Sequence, residues 1–165
     1  PPGSDSVDWE GELAVVIGST VSRADDVAAR AAIAGFTVAN DVSARDFQRR
    51  TPEWLQGKTF DRTTPLGPYL VSVDETGPEP DLDISCNVDG TIKQQSRTSE
   101  LVFGPVELVR YISAITTLRP GDIILTGTPG GVGDGRTPKE FLKAGSLLQT
   151  SITTLGAAAN LCIVK

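Results

Sequence analysis

At 165 residues, with 39% hydrophobic and 22% charged side chains, the chain is long enough for one domain with a sizeable core, and its composition is that of a folded rather than a disordered or fibrous protein. Its 21 acidic and 15 basic residues give a net charge of -6, which repels phosphate backbones and anionic lipid, so neither nucleic acid nor a membrane surface is an expected partner. No apolar run approaches the roughly 20 residues that span a bilayer, and the first residues carry no leader pattern, so a cytoplasmic protein with a single domain over 1–165 is expected, with room for a segment upstream of Pro1.

The first informative stretch is VDWEGELAVVIG, Val7 to Gly18. Leu13 to Ile17 reads as a buried strand, and Glu10 and Glu12 stand two apart at its mouth, where side chains at i and i+2 share a face. Two carboxylates on one wall each raise the cost of ionising the other, and burial raises it further. A hard divalent cation, Mg²⁺, Mn²⁺ or Ca²⁺, is the natural compensation for them, because such ions prefer carboxylate oxygens. The competing reading is a solvated strand edge, since E-x-E is common there.

SRADDVAARAAIAGF follows as a short helix, with Ser22 as N-cap and Gly35 as its stop, and Phe36 to Asp41 forms a second strand that delivers Asp41 at its end. Asp41 is the best candidate for a third metal ligand, or else it merely begins a turn. Phe47 to Pro68 is polar and rich in proline, a long loop of the kind that is uncommon unless functional. Within it Lys58 reads, by itself, as a surface lysine, and the neighbouring Arg45 and Asp46 as a local ion pair.

PYLVSV is a strand, and LDISCNVDGTIKQQS is a hairpin with Asp89-Gly90 at a type I′ turn. In GPVELVRYISAITTLRPGD, Pro105 takes a first helical position and Val106, Val109, Ile112 and Ile115 recur at helical spacing. DIILTG, SLLQTSI and NLCIV complete an α+β, strand-dominated domain, with the glycine-rich GTPGGVGDG between the first two. That loop lacks the lysine of a P-loop and the dinucleotide fingerprint, although its backbone N–H groups can still face an anion.

The chain has no histidine and only two cysteines, Cys86 and Cys162, both in apolar stretches and read as reduced core residues. Zinc and histidine-dependent nucleophile systems within this chain are thereby disfavoured.

Taken in order, DWEGELAVVIG, ANDVSARDFQ, GKTFDRTTPLGP and PGDIILTGTPGGVG closely resemble the fumarylacetoacetate hydrolase family, through nearly the whole chain. The resemblance implies that family's C-terminal catalytic domain, a mixed β-sandwich roll usually assembled as a homodimer. It implies Glu10, Glu12 and Asp41 as ligands of Mg²⁺ or a similar ion and Lys58 beside them as the catalytic group stabilising negative charge. Gln48 and Thr128 would join Lys58 in contacting a small-molecule oxo acid, Arg45 would brace the ligand loop, and Gln94 matches a glutamine of the family pattern.

The chemistry so implied begins with a 1,3-dicarbonyl or 2-oxo acid chelated through two oxygens, with enolate charge stabilised by the metal and Lys58. Water attack cleaves a C–C bond, reprotonation at another carbon isomerises, and loss of CO₂ decarboxylates. Hydrolytic relatives use a histidine from an upstream segment or lid, and this chain has none. Three accounts remain: the residue lies before Pro1, the chemistry does without it, or the site is inactive. The leading expectation is a hydrolase of acylpyruvate or β-diketo acid type in the breakdown of aromatic compounds or amino acids. Its rivals are an isomerase of the 2-hydroxyhepta-2,4-diene-1,7-dioate type, a 2-oxo acid decarboxylase, and a metal-stabilised binding module without catalysis.

Overall fold

The computed structural model describes residues 1–163. In chain order its elements are β1 (Val7–Asp8), β2 (Gly11–Ile17), α1 (Asp26–Ala32), β3 (Ile33–Asn40), β4 (Ser43–Ala44), α2 (Arg45–Gln48), β5 (Val71–Ser72), α3 (Val73–Thr76), β6 (Asp83–Val88), β7 (Thr91–Arg97), α4 (Pro105–Ile115), β8 (Ile123–Leu125), β9 (Leu147–Ile152) and β10 (Gly156–Leu161). Two four-stranded sheets, β5-β3-β2-β8 and β10-β9-β6-β7, pack on each other, and the short pair β1-β4 stands beside them. The strand-dominated α+β architecture expected from the sequence is present, and each pairing between named strands is antiparallel. No helix among the described residues is long and apolar enough to cross a membrane.

Alternation along the extended run Val7–Ile17 decides which face does what. Leu13, Val15 and Ile17 point into the main core, where they meet Phe36 and Val38 from β3, Ile84 and Ile152 from the second sheet, and Val106 and Val109 from α4. Trp9, of the same parity, joins Cys86, Val88 and Leu148 in a second cluster. Full burial of each such side chain contributes about 1.5–3 kcal/mol. That anchorage lets the opposite face of the same run carry Asp8, Glu10 and Glu12, all buried.

Several local expectations are corrected. The helix of residues 26–32 is capped by Asp25, whose carboxylate accepts from Ala28 N at 2.8 Å, not by Ser22. Gly35 does not stop that helix. It lies inside β3 opposite Ser72, where a Cβ would come within 2.1 Å of Val71 O. Only Val71 and Ser72 of PYLVSV pair, because Val73–Thr76 turns into α3.

The long loop from Phe47 opens on the end of α2, contains a 3₁₀ turn at Trp54–Gly57, and is pinned by an edge-on contact of Phe47 and Phe60. Ile115 ends α4 exposed rather than facing the core. The last strand starts at Gly156, earlier than NLCIV suggests, and Val164 lies outside the described residues. The hairpin is as expected, with Asp89 and Gly90 both at positive φ. Both cysteines are free, Cys86 fully buried and Cys162 half-buried.

Candidate metal centre

Three local features bring the acids together. Glu10 and Glu12 project from the same face of the extended run. At the end of β3, Asn40 is fully buried and clips Glu10 in place: its Oδ1 accepts from Glu10 N at 2.9 Å, and its Nδ2 donates to Thr150 Oγ1 at 2.9 Å. The next residue, Asp41, donates its backbone N–H to Glu10 O at 2.8 Å. One carboxylate oxygen from each of Glu10, Glu12 and Asp41 consequently lies within 4.8 Å of the others. Donors on one hard cation at about 2.0–2.6 Å stand no more than about 5 Å apart, so the three fit a single ion with an all-oxygen donor set.

Positive charge is supplied by two side chains from the following segment. The Lys58 ammonium donates to Glu10 Oε2 at 2.7 Å, Asp41 Oδ2 at 2.6 Å and Ser43 Oγ at 2.9 Å, which uses all three of its protons. Burial by itself would lower the Lys58 pKa, but the hydrogen bonds and charges of Asp41 and Glu10 prevail and hold it above the ordinary lysine value. Gly57 permits this placement, since a Cβ there would lie 2.7 Å from Gln48 Cβ and 2.8 Å from Ala44 O. The isolated reading of Lys58 as a surface lysine therefore gives way to its position in the site.

Arg45 is not paired with Asp46, as sequence proximity suggests; Asp46 is exposed and accepts from Ser4 Oγ at 2.6 Å. The guanidinium is buried and reaches Asp8 Oδ2 at 2.8 Å and Glu10 Oε1 at 2.6 Å. It also donates to Gln48 Oε1 at 3.0 Å, which leaves the amide N–H₂ of Gln48 as the end for a ligand.

The glycine-rich segment runs back along the acidic strand. Glu12 Oε2 accepts from Gly127 N at 2.7 Å, and Thr128 Oγ1 donates to Gly11 O at 3.0 Å. Gly131 O accepts from the Trp9 indole at 3.2 Å, and Asp8 accepts from Gly133 N at 2.7 Å and Asp134 N at 2.9 Å. Buried Gln94 ties the two together, accepting from Gly11 N at 2.9 Å and donating to Thr128 Oγ1 at 2.7 Å and Pro129 O at 2.8 Å. Three of the loop's N–H groups thus go to the protein's own carboxylates, and the Thr128 hydroxyl proton is already given to Gly11.

Burial, and behind it the charges of Asp41 and Glu10, push the Glu12 carboxyl up to about 7 against the pull of Gly127 N–H and Lys58. A carboxyl so placed is short of positive charge, which is what crowding the same three carboxylates around one cation position produces. Sequence reasoning brings Glu10, Glu12, Asp41, Lys58, Arg45 and Gln48 to this site, and Thr128 to its flanking loop. It missed Asp8 and Asn40. Asp8 continues the Glu10, Glu12 alternation, and that spacing was the available signal; Asn40 had none.

The family description "Fumarylacetoacetate (FAA) hydrolase C-terminal" matches residues 1–163. The chain is 51% identical over 162 residues to a mitochondrial oxaloacetate tautomerase of Bos taurus, covering 97% of this chain and 52% of that protein. Among solved structures it resembles 5-carboxymethyl-2-hydroxymuconate delta-isomerase from Mycobacterium smegmatis, with TM-score 0.90 and 38% identity, over 100% of this chain and 62% of that one. It also resembles fumarylpyruvate hydrolase from Pseudomonas aeruginosa in complex with Mn²⁺ and pyruvate, with TM-score 0.90 and 31% identity, over 100% of this chain and 69% of that one. The chain spans about half the length of the curated relative it matches.

Proposed function

The chain belongs to the fumarylacetoacetate hydrolase family, and on that premise we propose that it is the metal-binding catalytic domain of an enzyme interconverting the enol and keto forms of a 2-oxo acid such as oxaloacetate. The observation that carries the reading is the convergence of Glu10, Glu12 and Asp41 within 4.8 Å beside the Lys58 ammonium. The 51% identity to an oxaloacetate tautomerase supports this choice of reaction.

A hard divalent cation held by the three carboxylates, Mg²⁺ or Mn²⁺ in this proposal, would supply Lewis-acid charge to the oxygens of a chelating oxo acid. Lys58 holds a full positive charge at the same place and stabilises negative charge as it builds on a substrate oxygen. Gln48, its carbonyl end held by Arg45, offers its N–H₂ to a substrate oxygen. A change of tautomer moves one proton between oxygen and carbon and breaks no C–C bond. Hydrolysis adds attack by an activated water to the proton transfer that both reactions need, and neither step has a histidine of this chain to carry it.

Cleavage of an acylpyruvate is the second reading, favoured by the likeness to a hydrolase whose structure holds Mn²⁺ and pyruvate; isomerisation by proton shift and decarboxylation draw on the same charge stabilisation. The test supplies enol oxaloacetate to Mg²⁺-loaded protein and follows loss of enol absorbance, then supplies acetylpyruvate and assays pyruvate. Enol loss well above the Glu12→Ala variant supports tautomerisation, and equal rates overturn it. Pyruvate release moves the assignment to hydrolysis. A binding module without catalysis gains thermal stability from Mg²⁺ but no further shift from oxalate. The homodimer implied by the family resemblance and the cytoplasmic location belong to the same proposal, to be tested by light scattering and by fractionation.

A further inference from the structure

Asp8 is a carboxylate with no solvent exposure, and the assignment of Glu10, Glu12 and Asp41 as ligands gives it no task. Its two oxygens nevertheless collect donors from both sides. Asp8 Oδ1 accepts from Trp9 N at 2.8 Å and Gly133 N at 2.7 Å, while Oδ2 accepts from Asp134 N at 2.9 Å and from Arg45 Nε and Nη2, both at 2.8 Å. The remaining arm of the same guanidinium, Nη1, holds Glu10 Oε1 at 2.6 Å. Gly133 is fitted to this contact, since a Cβ there would lie 2.9 Å from Asp8 Oδ1 and 1.8 Å from Glu140 O.

We propose that Asp8 is a positioning residue that ties the glycine-rich loop to the metal centre through Arg45, setting both the orientation of Glu10 and how much of its negative charge is left for a cation. The inference rests on the reading of Glu10 as a metal ligand. A planar guanidinium shared between two buried carboxylates divides its charge between them. With Asp8 present, Arg45 is half satisfied elsewhere and Glu10 keeps charge for a metal. Without it, the buried cation turns wholly onto Glu10. In the other direction, a cation that draws on Glu10 shifts Arg45 toward Asp8 and alters the hydrogen bonds that Gly133 and Asp134 make to it.

The experiment measures Mn²⁺ dissociation constants for wild type, Asp8→Asn, Arg45→Met and the double variant. The expected result is about a tenfold weakening in Asp8→Asn that disappears when Arg45 is already Met. A loss of less than twofold in folded Asp8→Asn overturns the proposal. So does an equal loss in both backgrounds, which is the mark of simple charge removal at a distance. Should Asp8→Asn fail to fold, Mg²⁺ titration of ¹⁵N-labelled wild type decides. The amides of Gly133 and Asp134 are expected to shift together with that of Gly127. If Gly127 shifts and the other two do not, the coupling through Asp8 is refuted while the metal centre stands. If none of the three responds, both fail.

Discussion

The Lys58 ammonium stands 2.6 Å from Asp41 Oδ2, and the same nitrogen lies 2.7 Å from Glu10 Oε2, so one cationic side chain is shared by two of the three proposed ligands. This fixes what Lys58 can do. It neither lacks a partner nor sits neutral, and its value to the reaction lies in charge. Replacing it with methionine should lower kcat by about 10²- to 10³-fold, the cost of removing one preorganised positive charge beside developing negative charge. The Mn²⁺ dissociation constant should change by less than about tenfold. Steady-state kinetics and calorimetric titration on one preparation check both; equal losses in rate and affinity would reduce Lys58 to a structural counter-ion.

The Glu12 pKa near 7 implies a definite pH dependence for the metal-free protein. A carboxyl whose folded value is raised contributes stability that is complete below its unfolded pKa, near 4.5, and is lost as pH rises through about 7. The loss is of order 3 kcal/mol. Metal-free wild type should therefore weaken in urea melts between pH 5 and 8, while Glu12→Gln should weaken much less. Metal binding must expel that proton, so the apparent Mn²⁺ affinity should rise up to about tenfold per pH unit below 7 and level off above it.

Gly57 is where the Lys58 segment passes against α2. Gly57→Ala places a methyl group 2.7 Å from Gln48 Cβ and Gln48 N. The clash should cost about 1–3 kcal/mol and move Lys58 away from its acceptors. Thermal melts should show the destabilisation and kinetics a disproportionate fall in kcat; an unchanged kcat would mean that the segment adapts without moving the ammonium.

Gln94 joins the acidic strand to the glycine-rich loop through three hydrogen bonds. Gln94→Leu keeps the bulk but leaves Gly11 N–H buried without an acceptor, a cost of about 1–3 kcal/mol. The loosened loop should raise KM for the oxo acid more than it lowers kcat. Urea unfolding and initial-rate kinetics test this pair of outcomes.

How much of this was legible in the sequence depended on whether the signal was local. The strand at Leu13–Ile17, the Asp89-Gly90 hairpin and the proline-led helix at Pro105 carry their causes within a few residues, and the structure has all three. The pairing of Glu10 with Glu12 followed from a period of two, and Asp41 followed from a strand end. By contrast, Gly35 looks like a helix stop only until β5 is brought beside it, and the alanine-rich β10 becomes a strand only because β9 is its neighbour. Arg45 next to Asp46 suggested a local pair; its true partners lie 37 and 35 positions away. Asp8 shares the period-of-two spacing, but the partners that give it a role are distant in sequence, Arg45 37 positions on and Gly133 and Asp134 more than 120.

The central claim is that Glu10, Glu12 and Asp41 together hold one divalent cation. Anomalous diffraction from crystals soaked in Mn²⁺ tests it directly. A single strong peak should appear between the three carboxylates, within about 2.0–2.6 Å of an oxygen from each, and vanish in Asp41→Ala crystals. A peak elsewhere with these carboxylates uncoordinated, or none at saturating Mn²⁺, would contradict the account.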